Sequence, residues 1–145
     1  MTNAKALVEE LRLQPHPEGG WYRETWRAES TDGERASATL IHFLLETGQQ
    51  SHWHRVDAAE IWLWHAGNPL ELATSEDESG IVNRAMLGPD LLGGQVVQHV
   101  VHPGDWQAAK PLPGAHDFVL VSCVVSPGFE FSGFSLAPPG WSPDA

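Results

Sequence analysis

From Asn3 to Leu13 apolar residues recur at near-helical spacing, Ala6, Leu7, Leu11 and Leu13, with Glu9, Glu10 and Arg12 between them. Pro15 and Pro17 then forbid continuation, so one short helix over about residues 3–13 is predicted. After Gly19 and Gly20 the pattern changes to short β-rich runs: WYRETWRAE, ASATLIHFLLE, AEIWLWH, PLELATS, GIVNRAMLG, QVVQHVVH, DFVLVSCVVS and FEFSGFSLA. Gly, Pro, Asn and Asp punctuate the gaps between them, as in GNPL, HPGDW and SPGF. Many short strands separated by turn signals predict an all-β sandwich or barrel over about residues 20–137, followed by an irregular tail, PPGWSPDA. No long helical pattern separates the strands, which argues against a parallel α/β sheet. Residues 1–145 are expected to form one domain, a length sufficient for a core without crosslinks.

Composition narrows the partners. Hydrophobic residues make up 41% of the chain and the mean hydropathy is −0.26, as for a water-soluble globular protein. Nineteen acidic against eight basic residues give a net charge of −11, which repels nucleic acid. No apolar run approaches the roughly 20 residues that span a bilayer, so no membrane partner is expected. Cys123 is the single cysteine and sits in the apolar run FVLVSCVVS, which suggests a buried thiol in a reducing compartment; the expected location is the cytoplasm.

Eight histidines and seven tryptophans, several adjacent, point to a pocket. The densest segment is GQQSHWHRVDAAEIWLWHAGNPL. Alternation along an extended chain puts His52 and His54 on one face with Trp53 opposite, and a turn through Arg55–Ala59 brings Glu60 beside both imidazoles. Two imidazoles and a carboxylate with open positions suit a divalent metal such as Fe, Zn, Ni or Mn, and equally serve packing and hydrogen bonding on a strand. The same alternation aligns Glu60, Trp62 and Trp64, so the two indoles either wall a pocket for a small organic ligand or fill a core. In HPEGGWYRETW, His16, Glu18, Tyr22, Arg23 and Glu24 crowd around a glycine pair. Tyr22, Glu24 and Trp26 share one face there, while Arg23, Thr25 and Arg27 share the other. Tyr22 is the only tyrosine, either a proton donor or a core aromatic, and Gln98 and Gln107 are candidates to orient a ligand. There is no nucleophile elbow, P-loop or dinucleotide fingerprint.

These residues resemble a known family. The spacing of Gly48, His52, His54, Glu60 and Gly67 is similar to the first motif of the cupin superfamily, and the stretch ending in PGDWQ is similar to the second. HPEGGWYRETWR, TLIHFLL, SHWHRVDAAEIWLWHAG, LGPDLLGG and SCVVSPGF together resemble the uncharacterised subfamily called cupin type 5, from His16 to about Leu136. The resemblance implies a double-stranded β-helix jelly roll, a homodimer and a pocket at one end of the barrel. Members carry the label of predicted sugar epimerases, an analogy of fold that fixes no reaction. The chain departs from the general pattern in two places. Five residues, Arg55 to Ala59, separate His54 from Glu60, and Gln107 stands where the last histidine of the metal set would fall.

Three functions follow as expectations. The first is an epimerase or isomerase acting on a keto-sugar or related carbonyl compound, with His54 as base, Tyr22 as acid and Glu60 orienting the imidazole. In it Arg23, Glu24, Trp62, Trp64, Gln98 and Gln107 bind the ligand; a nucleotide-linked sugar would further require Arg23, Arg27 and Arg55 to cluster. The second is a metal-dependent oxygenase or isomerase using His52, His54, Glu60 and Gln107 as ligands. The third is a small-ligand-binding protein without catalysis.

Overall fold

The computed structural model describes residues 2–77 and 80–144. Helix α1, Ala4–Glu10, is capped by the Asn3 side chain, which accepts from the Ala6 N–H at 2.8 Å. It ends earlier than the periodicity predicts because Arg12 adopts a left-handed φ of 56° and the chain turns back toward the sheet. Its apolar side, Ala4 with Leu7, Val8 and Leu11, packs on Leu44 and Phe118.

Eleven strands follow. They are β1 Gln14–Pro15, β2 Trp21–Arg27, β3 Thr39–Glu46, β4 Ser51–Val56, β5 Ala59–Gly67, β6 Leu70–Ser75, β7 Asn83–Leu87, β8 Gln98–Val101, β9 Trp106–Pro111, β10 Phe118–Ser126 and β11 Phe134–Leu136. One antiparallel sheet runs β1-β2-β3-β10-β5-β8 and the other β11-β4-β9-β6-β7, the two faces of a jelly-roll β-barrel. Every run expected to be β contains a strand; β1, β4 and β9 lie outside those runs, β4 in the segment read as extended at His52 and His54 and β1 where Pro15 ends a sheet edge, at which no N–H is required.

Between the sheets lies a core built on Phe43, Leu45, Trp62, Leu72, Val121 and Cys123, each at most 2% exposed. Full burial of a side chain such as Phe43 contributes roughly 1.5–3 kcal/mol. The β-branched run of β10 supplies one wall, because it pairs on both sides, with β3 and with β5. This core occupies one part of the barrel interior. The other part is a cavity.

Candidate functional site

The cavity has a volume of about 430 Å³. Its deep end is formed by His16, Glu18, His54 and Glu60, its apolar wall includes Ile41, Val56 and Phe129, and its mouth carries Arg23, Glu24 and Arg27.

The turn between β1 and β2 brings in the first two polar groups. Gly19 and Gly20 have φ of 107° and 81°, and any Cβ at Gly19 would collide with the carbonyl oxygen of Gln50. This close approach lets the His52 N–H donate to the Glu18 carbonyl at 2.8 Å, so Glu18 and β4 are fixed to one another. The Glu18 side chain then points inward between two imidazoles: Oε1 is 3.2 Å from His16 Nε2 and Oε2 is 3.5 Å from His54 Nε2, with Ser51 Oγ also on Oε2.

Strand β4 corrects the expected His52–His54 pairing. Ser51 lies opposite Ala109 and His54 opposite Gln107, so His52 and Trp53 together face the single Ala108 and a β-bulge falls between them. The extra residue reverses the alternation: Ser51 and His54 are buried inside, whereas His52 turns away and its Nε2 bonds the Pro138 carbonyl at 2.9 Å. A second bulge, in β2 between Glu24 and Trp26, has the same effect. Arg27 pairs with Thr39 and joins Tyr22 and Glu24 on the inner face, while Trp26 is 52% exposed.

Other expected ligand groups are also relocated. Trp62 is a core residue, not a cavity wall; its Nε1–H donates to Gln107 Oε1 at 2.8 Å. Trp64 packs against the core and donates to the Asn68 carbonyl. Gln98 is exposed, opposite Leu63 on edge strand β8, away from the cavity. Gln107 is fully enclosed, and its Nε2–H donates to Glu60 Oε1 at 2.8 Å, so both ends of its amide are already committed. Tyr22 lines the cavity with its ring edge-on to His16, centroids 4.5 Å apart. His16, Glu18 and Ser51 belong to the site without being among the expected catalytic or ligand-binding residues; the HPEGG turn is the sequence signal that places the first two.

Proton positions follow from the partners. His54 Nδ1–H donates to the His52 carbonyl at 2.7 Å, which leaves Nε2 with a lone pair. His16 Nδ1 accepts from the Glu18 N–H, so its proton resides on Nε2 and is donated to Glu18 Oε1. Burial, reinforced by His54, pushes His16 down to about 4, and burial lowers His54 as well despite the Glu60 carboxylate beside it. Burial pushes Glu18 up to about 8 and Glu60 up to about 7. At neutral pH the cluster therefore consists of neutral imidazoles and a protonated Glu18, hydrogen-bonded rather than ion-paired. Burial also raises Cys123 well above the ordinary thiol range, in keeping with an inert core thiol.

The metal quartet His52, His54, Glu60 and Gln107 does not fit this geometry. His52 is on the outside, and the Gln107 oxygen is occupied by Trp62 while its NH₂ faces Glu60. Among the described residues no group of three or more His, Cys, Asp or Glu side chains is arranged to hold a metal ion. No helix among the described residues is long and apolar enough to cross a membrane.

A jelly-roll barrel with a polar cavity between its sheets defines a cupin. The chain belongs to the Cupin_5 family, described as Cupin superfamily (DUF985), whose model matches residues 5–137. It is similar to a protein of Shewanella oneidensis, 39% identical with a TM-score of 0.86 over 94% of this chain and 85% of that one. It is also similar to a hypothetical protein from Leishmania major, 32% identical with a TM-score of 0.84 over 94% and 88% of the two chains. An uncharacterized protein of Saccharomyces cerevisiae is 28% identical over 148 residues, which cover 90% of this chain and 73% of the yeast protein.

Proposed function

We propose that the cavity is a proton-transfer site for a small carbonyl compound, of the isomerase or epimerase type, with His54 as base. The observation that carries this reading is the His54 imidazole itself: its Nδ1–H is held by the His52 carbonyl, so its free Nε2 faces the cavity beside Glu18 Oε2. In the reaction Nε2 takes the proton from the carbon next to the carbonyl, and the electron pair moves to the carbonyl oxygen. The Glu18 carboxyl donates its proton to that oxygen, and the steps reverse to return a proton to carbon. Burial supports the pairing of an unprotonated base with a protonated acid near neutral pH. Glu60, held by Gln107, orients the cluster rather than touching the oxygen, and Tyr22 is a second hydroxyl donor on the wall. Gln98 and Gln107 take no part in holding the oxygen.

The test is solvent exchange: ketoses and 2-hydroxy ketones incubated with protein in D₂O and followed by proton NMR. Loss of the signal at the carbon next to the carbonyl, abolished in His54→Gln, is expected. A wild-type protein that binds such a compound without washing out that proton would leave a binding protein in place of a catalyst.

A further inference from the structure

Charge recognition at the mouth of the cavity distinguishes between ligand classes. A nucleotide-linked sugar or a sugar phosphate brings a phosphate or diphosphate, and such groups are held by uncommitted guanidinium or ammonium groups in a bidentate or clustered arrangement. The chain has eight Lys and Arg residues in all. Arg55 lies on the far side of its sheet with its guanidinium 4.7 Å over the Trp106 ring, so the cluster of Arg23, Arg27 and Arg55 does not assemble. Arg27 does reach the inner face through the β2 bulge, but its charge is matched by Glu24 and three of its five N–H donors are engaged: Nη2 gives to Glu24 Oε1 at 2.7 Å and to the Phe129 carbonyl at 2.9 Å, and Nε gives to Glu24 Oε2 at 3.3 Å. Arg35 is held in the same way by both oxygens of Asp57 and by the Gly128 carbonyl. Arg84 and Lys110 share Glu71 on the outer face of the other sheet. Only Arg23 borders the cavity without a carboxylate partner among the described residues, and Glu24 and Glu130 stand at the same rim.

Deeper in, the groups suit hydroxyl and carbonyl functions. The His54 lone pair and the carboxyls of Glu18 and Glu60 offer acceptors and donors on one side, while Ile41, Val56 and Phe129 offer an apolar surface to C–H bonds. A phosphate passing the mouth would lose its hydration and meet a single guanidinium without a carboxylate partner, Arg23, with Glu24 and Glu130 at the same rim, in a protein whose net charge is −11.

We infer that the ligand of this cavity is an uncharged polyhydroxylated carbonyl compound, and that the Glu24–Arg27 pair at the mouth selects against phosphorylated and nucleotide-linked forms of it. This rests on the proposed site and names its substrate class. Arg27 is present at the mouth but its charge is balanced by Glu24, so Glu24 acts as a selectivity element: in its absence the guanidinium faces the entrance without a carboxylate partner.

The test is a calorimetric and NMR titration of wild type and Glu24→Gln with three neutral ketoses (fructose, tagatose and dihydroxyacetone), fructose 6-phosphate, and a nucleoside-diphosphate sugar, each at low and at about 0.3 M salt. Wild type is expected to bind at least one neutral ketose with an affinity insensitive to salt, and the charged compounds about tenfold or more weaker. In Glu24→Gln the phosphate ester is expected to gain about tenfold relative to the neutral ketose, with the gain lost at high salt. A wild-type preference for the phosphate ester or nucleotide sugar, or binding by none of the neutral ketoses, overturns the inference. The two readings separate cleanly. Neutral-ketose binding without exchange in D₂O removes the proton-transfer function and keeps the ligand class, whereas exchange confined to phosphorylated compounds keeps the function and removes the ligand class.

Discussion

The two ends of the cavity solve the same electrostatic problem differently. At the deep end Glu18 and Glu60 are buried among neutral imidazoles, an amide, a hydroxyl and the Cys123 thiol, and burial answers by raising both carboxyls to about 8 and about 7. At the mouth Glu24 and Arg27 are 36% and 42% exposed and satisfy one another through a bidentate contact. Protonation therefore removes charge where water is excluded, and pairing removes it where water is present. The difference matches the two roles proposed for them, proton transfer in the interior and discrimination at the rim.

The largest expected effect breaks the deep end. His54→Gln should reduce exchange by about 10² to 10⁴, the usual worth of a positioned base, whereas His52→Ala, on the outer side of the same strand, should change it less than about threefold; exchange rates by NMR compare the two. Next is the amide that joins cluster to core. Gln107→Leu leaves the Trp62 N–H and Glu60 Oε1 without partners, an expected loss of about 1–3 kcal/mol for each buried group, read from urea unfolding.

A third measurement sharpens the comparison through pH. Burial pushes Glu18 up to about 8 from an ordinary 4.5, so between these values the folded state holds the extra proton. Stability contributed by this group therefore falls as pH rises through that window, by at most about 1.4 kcal/mol per pH unit for one proton. His16, lowered to about 4 from 6.5, acts oppositely, but only below 6.5. Between pH 6.5 and 8 wild type should lose stability steadily, and Glu18→Gln should flatten that slope in unfolding titrations. The smallest effect lies at the mouth: Glu24→Ala should shift stability by less than about 1 kcal/mol, as exposed ion pairs do, visible as a small change in Tm.

Much of the fold was legible because strand length, turn residues and apolar alternation agree along β3, β5, β6 and β10. Cys123 was read correctly as a buried thiol, and Glu60 and His54 do meet inside the barrel. Alternation misled wherever a bulge intervened. One unpaired residue in β4 exchanged Ser51 for His52 on the inner face, and one in β2 exchanged Arg27 for Trp26. A bulge leaves no periodic trace, since it depends on what the partner strand supplies across the ladder. Trp62 and Gln107 illustrate a second limit: both do face inward, but whether an inward side chain fills core or lines a cavity is decided by packing in three dimensions.

The contact between Arg27 and the Phe129 carbonyl spans 102 positions of sequence, and the cavity is walled by β1 and β2 on one side and by the segment around Phe129 and Phe131 on the other. During synthesis the histidine cluster, the core strands and the acidic groups all emerge before this last wall exists. The interior must then wait, open to water, until the C-terminal segment leaves the ribosome and closes it. Closure of the cavity therefore depends on contacts between segments far apart in sequence, in a molecule whose contacts are mostly distant along the chain.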